Sequence, residues 1–106
     1  MRHPSTANWG CFLILPDHKI LVVDDLTERR RAAKAILSEC GFKNLFDADS
    51  ELALVALEDV KGLQLIISEW DMPTLSGLQL LKAVRTNPKT QHLPFLIILP
   101  KQPEAT

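Results

Sequence analysis

Leu63–Leu81, LQLIISEWDMPTLSGLQLL, decides how this chain is built. Leu63 to Ile67 is a short apolar run of the kind that fills a strand buried on both faces. It gives way at once to Ser68, Glu69, Trp70 and Asp71. Pro73 and Gly77 punctuate the loop that follows, and Leu78, Leu80, Leu81 and Val84 then recur at helical spacing. The stretch therefore reads strand, acidic loop, helix. In open α/β sheets ligands bind outside the carboxyl ends of the strands, which is where this order puts the acids.

Upstream, Lys19–Val23 (KILVV) is a second continuous aliphatic run, and it ends in Asp24 and Asp25. From Thr27 to Cys40, the apolar positions Ala32, Ala33, Ile36, Leu37 and Cys40 fall at three- and four-residue intervals. That spacing predicts an amphipathic helix closed by Gly41. Asn44–Ala48 reads as a strand, and Ser50 is placed to cap a second helix whose apolar content is Leu52, Leu54, Val55 and Ala56 or Leu57, ending at Gly62. Asn87, Pro88 and Lys89 break the third helix. Phe95–Leu99, between Pro94 and Pro100, reads as a fourth strand. The order βαβαβαβ predicts an α/β fold of three layers, a parallel sheet wound on both faces.

Composition narrows the function classes. A chain of 106 residues, 46% hydrophobic, suits one domain with one modest core. A net charge of −1 supplies no general field for nucleic acid or an anionic membrane, and neither is expected as a partner. Arg29, Arg30 and Arg31 are the one dense basic cluster, read as a solvated helix face. Cys11 and Cys40 match neither a metal spacing nor a disulfide framework, which suits reduced thiols in a cytoplasm. No apolar run approaches the ~18 residues of a membrane span. His3, His18 and His92 stand at no catalytic or ligand spacing, so no catalytic group is assigned and the chain is expected not to be an enzyme. Trp70 reads as a partly exposed ring beside the acids, and Trp9 has no assignable role.

Right-handed crossovers bring the strands' carboxyl ends to one edge of the sheet. Asp24, Asp25 and Glu69 then form an acidic pocket if their strands are neighbours. Such a cluster is tolerated if a hard divalent cation sits among the acids, if one acid takes up a proton, or if a lysine intervenes.

These residues resemble a known family. ILVVDD at Ile20–Asp25, the helix after it with Gly41 and Phe42, SEWDMPTLSGLQLLKAVR at Ser68–Arg85, and LPFLIIL at Leu93–Leu99 look like the receiver domain of two-component response regulators, most of all the chemotaxis, CheY-like type. The resemblance covers Lys19 to about Pro100. It implies a CheY/flavodoxin-like sheet of order 2-1-3-4, with the family's fifth strand missing or supplied by another segment or chain. It implies an extension over 1–18, a receiver-like domain over 19–100 and a tail over 101–106. In receivers, as the resemblance implies, the two acids help hold Mg²⁺, an Asp after the third strand accepts phosphoryl from a histidine kinase, and the residue two further on lends its carbonyl to the metal. Transposed, the possible metal ligands are Asp24, Asp25 and Asp71.

The departures matter as much as the match. The acceptor position is Glu69. The hydroxyl residue at the end of the fourth strand is replaced by Leu99, and no lysine following a fifth strand is expected within the 106 residues, which end at Thr106 either as a short protein or as a fragment of a longer one. Glu is longer by a methylene, and a misplacement near 1 Å can cost about a hundredfold in rate. The expectation is a pseudo-receiver in a two-component or phosphorelay pathway, acting through protein contacts without phosphorylation. No cofactor is required, though Mg²⁺ is allowed. The alternatives are a Mg²⁺-dependent phosphoacceptor, or Glu69 as a permanent imitation of phospho-aspartate. The expected partners are signalling proteins or a second copy of the chain. Phe95, Leu96, Ile97, Ile98 and Leu99, with Cys11, Phe12, Leu13, Ile14 and Leu15, are the interface candidates, because an unpaired apolar edge promotes association.

Overall fold

The computed structural model describes residues 14–99; the extension as far as Leu13 and the stretch from Pro100 onward, including Trp9, His3 and the 101–106 tail, lie outside it. In chain order the elements are β1 (Lys19–Val23), α1 (Thr27–Glu39), β2 (Asn44–Ala48), α2 (Ser50–Asp59), β3 (Leu63–Glu69), α3 (Gly77–Thr86) and β4 (Phe95–Ile98). The strands form one parallel sheet of order β2-β1-β3-β4. This is the three-layer α/β arrangement expected from the alternation of runs.

Strand alternation sorts the core into two layers. Leu21 and Val23 of β1 join Ala48, Ile66 and, from α2 and α3, Ala53, Leu80 and Val84 on one face. Ile20, Val22 and Leu65 face the other way, against Ala33 and Leu37 of α1 and against Ile14. Strict alternation would put Leu63 and Leu65 on the same face. They part because the β1–β3 register skips Gln64, Lys19 pairing with Leu63 and Ile20 with Leu65. The Gln64 side chain accepts the Lys19 amide at 3.0 Å beside this irregularity.

The helix ends are chemically specified. Gly41 has φ 102°, and the amides of Gly41 and Phe42 donate to the carbonyls of Ser38 and Leu37, closing α1 as a Schellman turn. Ser76 caps α3 reciprocally with Gln79. Asp49, not Ser50, caps α2, accepting from the Leu52 amide at 2.9 Å. Ser50 is instead the first helical residue, and its hydroxyl is used elsewhere.

The helices bury narrower stripes than their apolar content suggests. In α2 the packed positions are Ala53, Ala56 and Leu57, continued by Val60, while Leu52, Leu54 and Val55 are exposed. Positions 53, 56 or 57, and 60 are one helical stripe, and the larger leucines fall off it. In α1 the packed positions are Ala33 and Leu37, while Ala32, Ile36 and Cys40 are exposed. No helix among the described residues is long and apolar enough to cross a membrane.

Candidate functional site

Val23 of β1 pairs with Ser68 of β3, so the next residues along, Asp24 and Glu69, stand side by side at the carboxyl edge of the sheet. Both are buried, at 8% and 7% exposure. A buried carboxylate must be paired or hydrogen-bonded. The sequence supplies the partner five residues after Asp24.

α1 begins at Thr27, which puts Arg29 in its first turn. Helical side chains lean toward the amino terminus, so the guanidinium of Arg29 reaches back over the strand tips. Its Nε donates to Asp24 Oδ2 at 2.9 Å and its Nη2 to Asp24 Oδ1 at 3.0 Å, a two-pronged contact. The same Nη2 lies 3.9 Å from Glu69 Oε1. Asp24 Oδ1 accepts a further bond, at 2.9 Å, from the Leu26 amide. The hydrogen bond that Arg29 donates to Asp24, reinforced by the fields of Asp24, Glu69 and the exposed Asp71, raises the Arg29 pKa above its ordinary value.

Arg30 has its own work. Its Nη1 donates to the Asp24 carbonyl at 2.7 Å, and its Nε to Asp47 Oδ2 at 2.9 Å. Lys34 completes that second cluster, donating to Asp47 Oδ1 at 2.8 Å. The basic triplet is therefore no uniform solvated face. Arg29 and Arg30 bind the strand tips, and among the ion pairs of the described residues Arg31 has no part.

Asp25 points elsewhere. Its Oδ1 accepts from the Ser50 amide at 2.7 Å and its Oδ2 from the Ser50 hydroxyl at 3.1 Å, which sets the carboxylate on the amino-terminal end of α2. Of the three acids read as one pocket, Asp24 and Glu69 share a single counter-ion, and Asp25 is bonded to a neighbouring helix.

Two further features fix the loop after Glu69. Gly77 donates its amide to the Trp70 carbonyl at 2.9 Å, and a Cβ there would lie 2.5 Å from the Glu69 carbonyl oxygen. Glycine is needed because α3 starts against the backbone of the site. Met72 is buried in the core beneath the loop, and Trp70 is exposed at 38%. Leu99 is one residue beyond Ile98, the β4 partner of Glu69, and its exposed side chain is hydrocarbon.

The donor set does not fit a divalent cation in this arrangement. Asp24 already accepts three hydrogen bonds, Asp25 is held by Ser50, and a fixed positive charge, the Arg29 guanidinium, lies 3.9 Å from Glu69. Among the described residues no group of three His, Cys, Asp or Glu is placed to hold a metal. The signal that would have found Arg29 and Ser50 in the sequence was positional: a basic residue in the first turn of the helix after an acid-tipped strand, and a hydroxyl opening the next helix.

Among the interface candidates, Leu96, Ile98 and Leu99 are exposed on or beside the β4 edge, while Phe95 and Ile97 are half-buried. Ile14 packs against the α1 face of the sheet and Leu15 is exposed; Cys11, Phe12 and Leu13 lie outside the described residues.

Comparison with known proteins supplies a family. Residues 20–104 match the response regulator receiver domain. The chain is 36% identical over 80 residues to the chemotaxis protein CheY-3 of Vibrio cholerae, covering 76% of this chain and 62% of that protein. It thus spans under two thirds of that relative's length. A response regulator receiver protein from Pseudomonas putida superposes with a TM-score of 0.74 at 26% identity, over 85% of this chain and 74% of that one. The BeF3-activated, Mg²⁺-containing response regulator CheY2 of Sinorhizobium meliloti superposes with a TM-score of 0.65 at 35% identity, over 79% and 65% of the two chains.

Proposed function

We propose, from the premise that this chain belongs to the response regulator receiver domain family, that it conveys two-component signals through protein contacts without taking up a phosphoryl group. The observation that carries this reading is the engagement of the pocket's acids by a resident arginine. Glu69 stands where the family's acceptor would be, and the guanidinium of Arg29, bonded to Asp24, comes within 3.9 Å of the Glu69 carboxylate. Phosphoryl transfer is catalysed by positioning and by charge stabilisation at the transferring group. Here the acceptor side chain is longer, Leu99 offers no hydroxyl, and the Asp24 carboxylate is already engaged.

The partners in this reading are signalling proteins of the same pathway or a second copy of the chain, met in the cytoplasm. The domain needs no cofactor and performs no catalysis of its own.

Incubation with acetyl phosphate and Mg²⁺, followed by intact-mass measurement, tests the reading. The expected result is an unchanged mass for the natural sequence. A gain of one phosphoryl group on Glu69 or a neighbouring acid would overturn it in favour of a working acceptor.

A further inference from the structure

The geometry points to Arg29 as the resident cation of the acidic pocket, holding Asp24 and Glu69 together in place of a divalent metal ion. The inference rests on the reading that this pocket takes up no phosphoryl group, and it deepens that reading by naming what makes the pocket stable.

Two buried carboxylates side by side repel each other, and neither can be left without a counter-charge. A guanidinium meets that need differently from a metal ion. It presents a flat fork that matches a carboxylate, stays charged at any physiological pH, and is weakly hydrated. Arg29 uses the fork on Asp24 at 2.9 and 3.0 Å and turns the Nη2 edge toward Glu69. Mg²⁺ demands near-octahedral oxygen coordination and keeps several waters. To enter, it would have to displace the fork and the Leu26 amide from the same two oxygens of Asp24. The side chain of Arg29 is half exposed, lying at the solvent side of the two acids, while its base is in the first turn of α1. Arg30, bonded to the Asp24 carbonyl and to Asp47, anchors the same turn from the other side.

The test is thermal unfolding with MgCl2, and with NaCl at matched ionic strength, on the natural chain, Arg29→Met and Arg29→Lys. The natural chain is expected to melt at the same temperature in both salts. Arg29→Met, which leaves two buried acids without a cation, is expected to melt lower in NaCl and to recover several degrees in MgCl2. Arg29→Lys keeps the charge, and a Mg²⁺ response smaller than that of Arg29→Met is expected. Should Arg29→Met be unfolded in NaCl, the inference requires that Mg²⁺ restores its far-ultraviolet circular dichroism; no restoration would overturn it. A Mg²⁺ rise in the natural chain equal to that of Arg29→Met would also overturn it, as would a folded Arg29→Met indifferent to Mg²⁺. Each of these failures concerns the cation alone and leaves the acetyl phosphate result standing.

Discussion

Asp24 and Arg29 are five residues apart, on a strand tip and a helix's first turn, and they meet through two hydrogen bonds of 2.9 and 3.0 Å. The pair ties β1 to α1 at the edge where β3 also ends. Asp24→Asn keeps the shape and removes the charge, leaving the fork one neutral acceptor. Hydrogen bonds to charged groups contribute about 1.5–3 kcal/mol when buried. Arg29 is half exposed, so solvent screening reduces that here. A loss of about 1–2 kcal/mol in urea unfolding is expected, and an unchanged midpoint would show the pair to be energetically idle.

Gly77→Ala tests the close approach of α3 to the site. Alanine in a helix is ordinarily better than glycine by about 1 kcal/mol. Here the new Cβ would sit 2.5 Å from the Glu69 carbonyl oxygen and 3.1 Å from the Trp70 Cα, both backbone atoms with little room to give. Overpacking of this kind costs about 1–3 kcal/mol. Net destabilisation is expected, with a change in Trp70 emission as the loop moves; a stabilised variant would mean that the loop yields freely.

Much of this was legible in the sequence because strands buried on both faces leave long aliphatic runs. KILVV and LQLII announced their strands, and the acids that followed marked the carboxyl edge. The neighbouring positions of Asp24 and Glu69 followed from parallel winding alone. The direction of Asp25 did not, because adjacent residues at a strand tip leave on different sides and only the position of Ser50 decides its partner. Arg29 was hidden for a similar reason. A charged residue in a first helical turn looks alike whether it faces water or reaches back over the sheet, and the difference lies in what the strand tips lack.

Asp47 supplies the pH dependence. Its carboxyl is held below the usual carboxylate range, chiefly by the hydrogen bond from Lys34, with burial opposing it and the hydrogen bond from Arg30 and the charges of both adding to the lowering. A carboxyl whose folded pKa is depressed stabilises the fold above its unfolded pKa, and that contribution disappears as pH falls through the folded value. Asp47→Asn should therefore be less stable than the natural chain at neutral pH and indistinguishable from it in strong acid. The group is partly exposed, so the neutral-pH gap should be no more than about 1 kcal/mol. Denaturant midpoints at the two pH extremes measure it, and a gap that persists in acid would assign the effect to something other than charge.

The outer edge of β4 makes the last prediction. β4 pairs with β3 on one side, and among the described residues no strand pairs with its other side. Leu96, Ile98 and Leu99 are about half exposed there. Unpaired edges with apolar side chains template further pairing, and a lysine on the edge strand is a common way of blocking it. The apparent mass of the natural chain in light scattering should rise above that of a monomer with concentration. Leu96→Lys should remain monomeric over the same range, since the side chain is already exposed and the lysine costs the core nothing. Ile97→Lys would be the wrong control, because Ile97 is half-buried and its loss would confound association with unfolding. A natural chain that stays monomeric at the highest concentration reached would rule out a second copy as the partner of this edge.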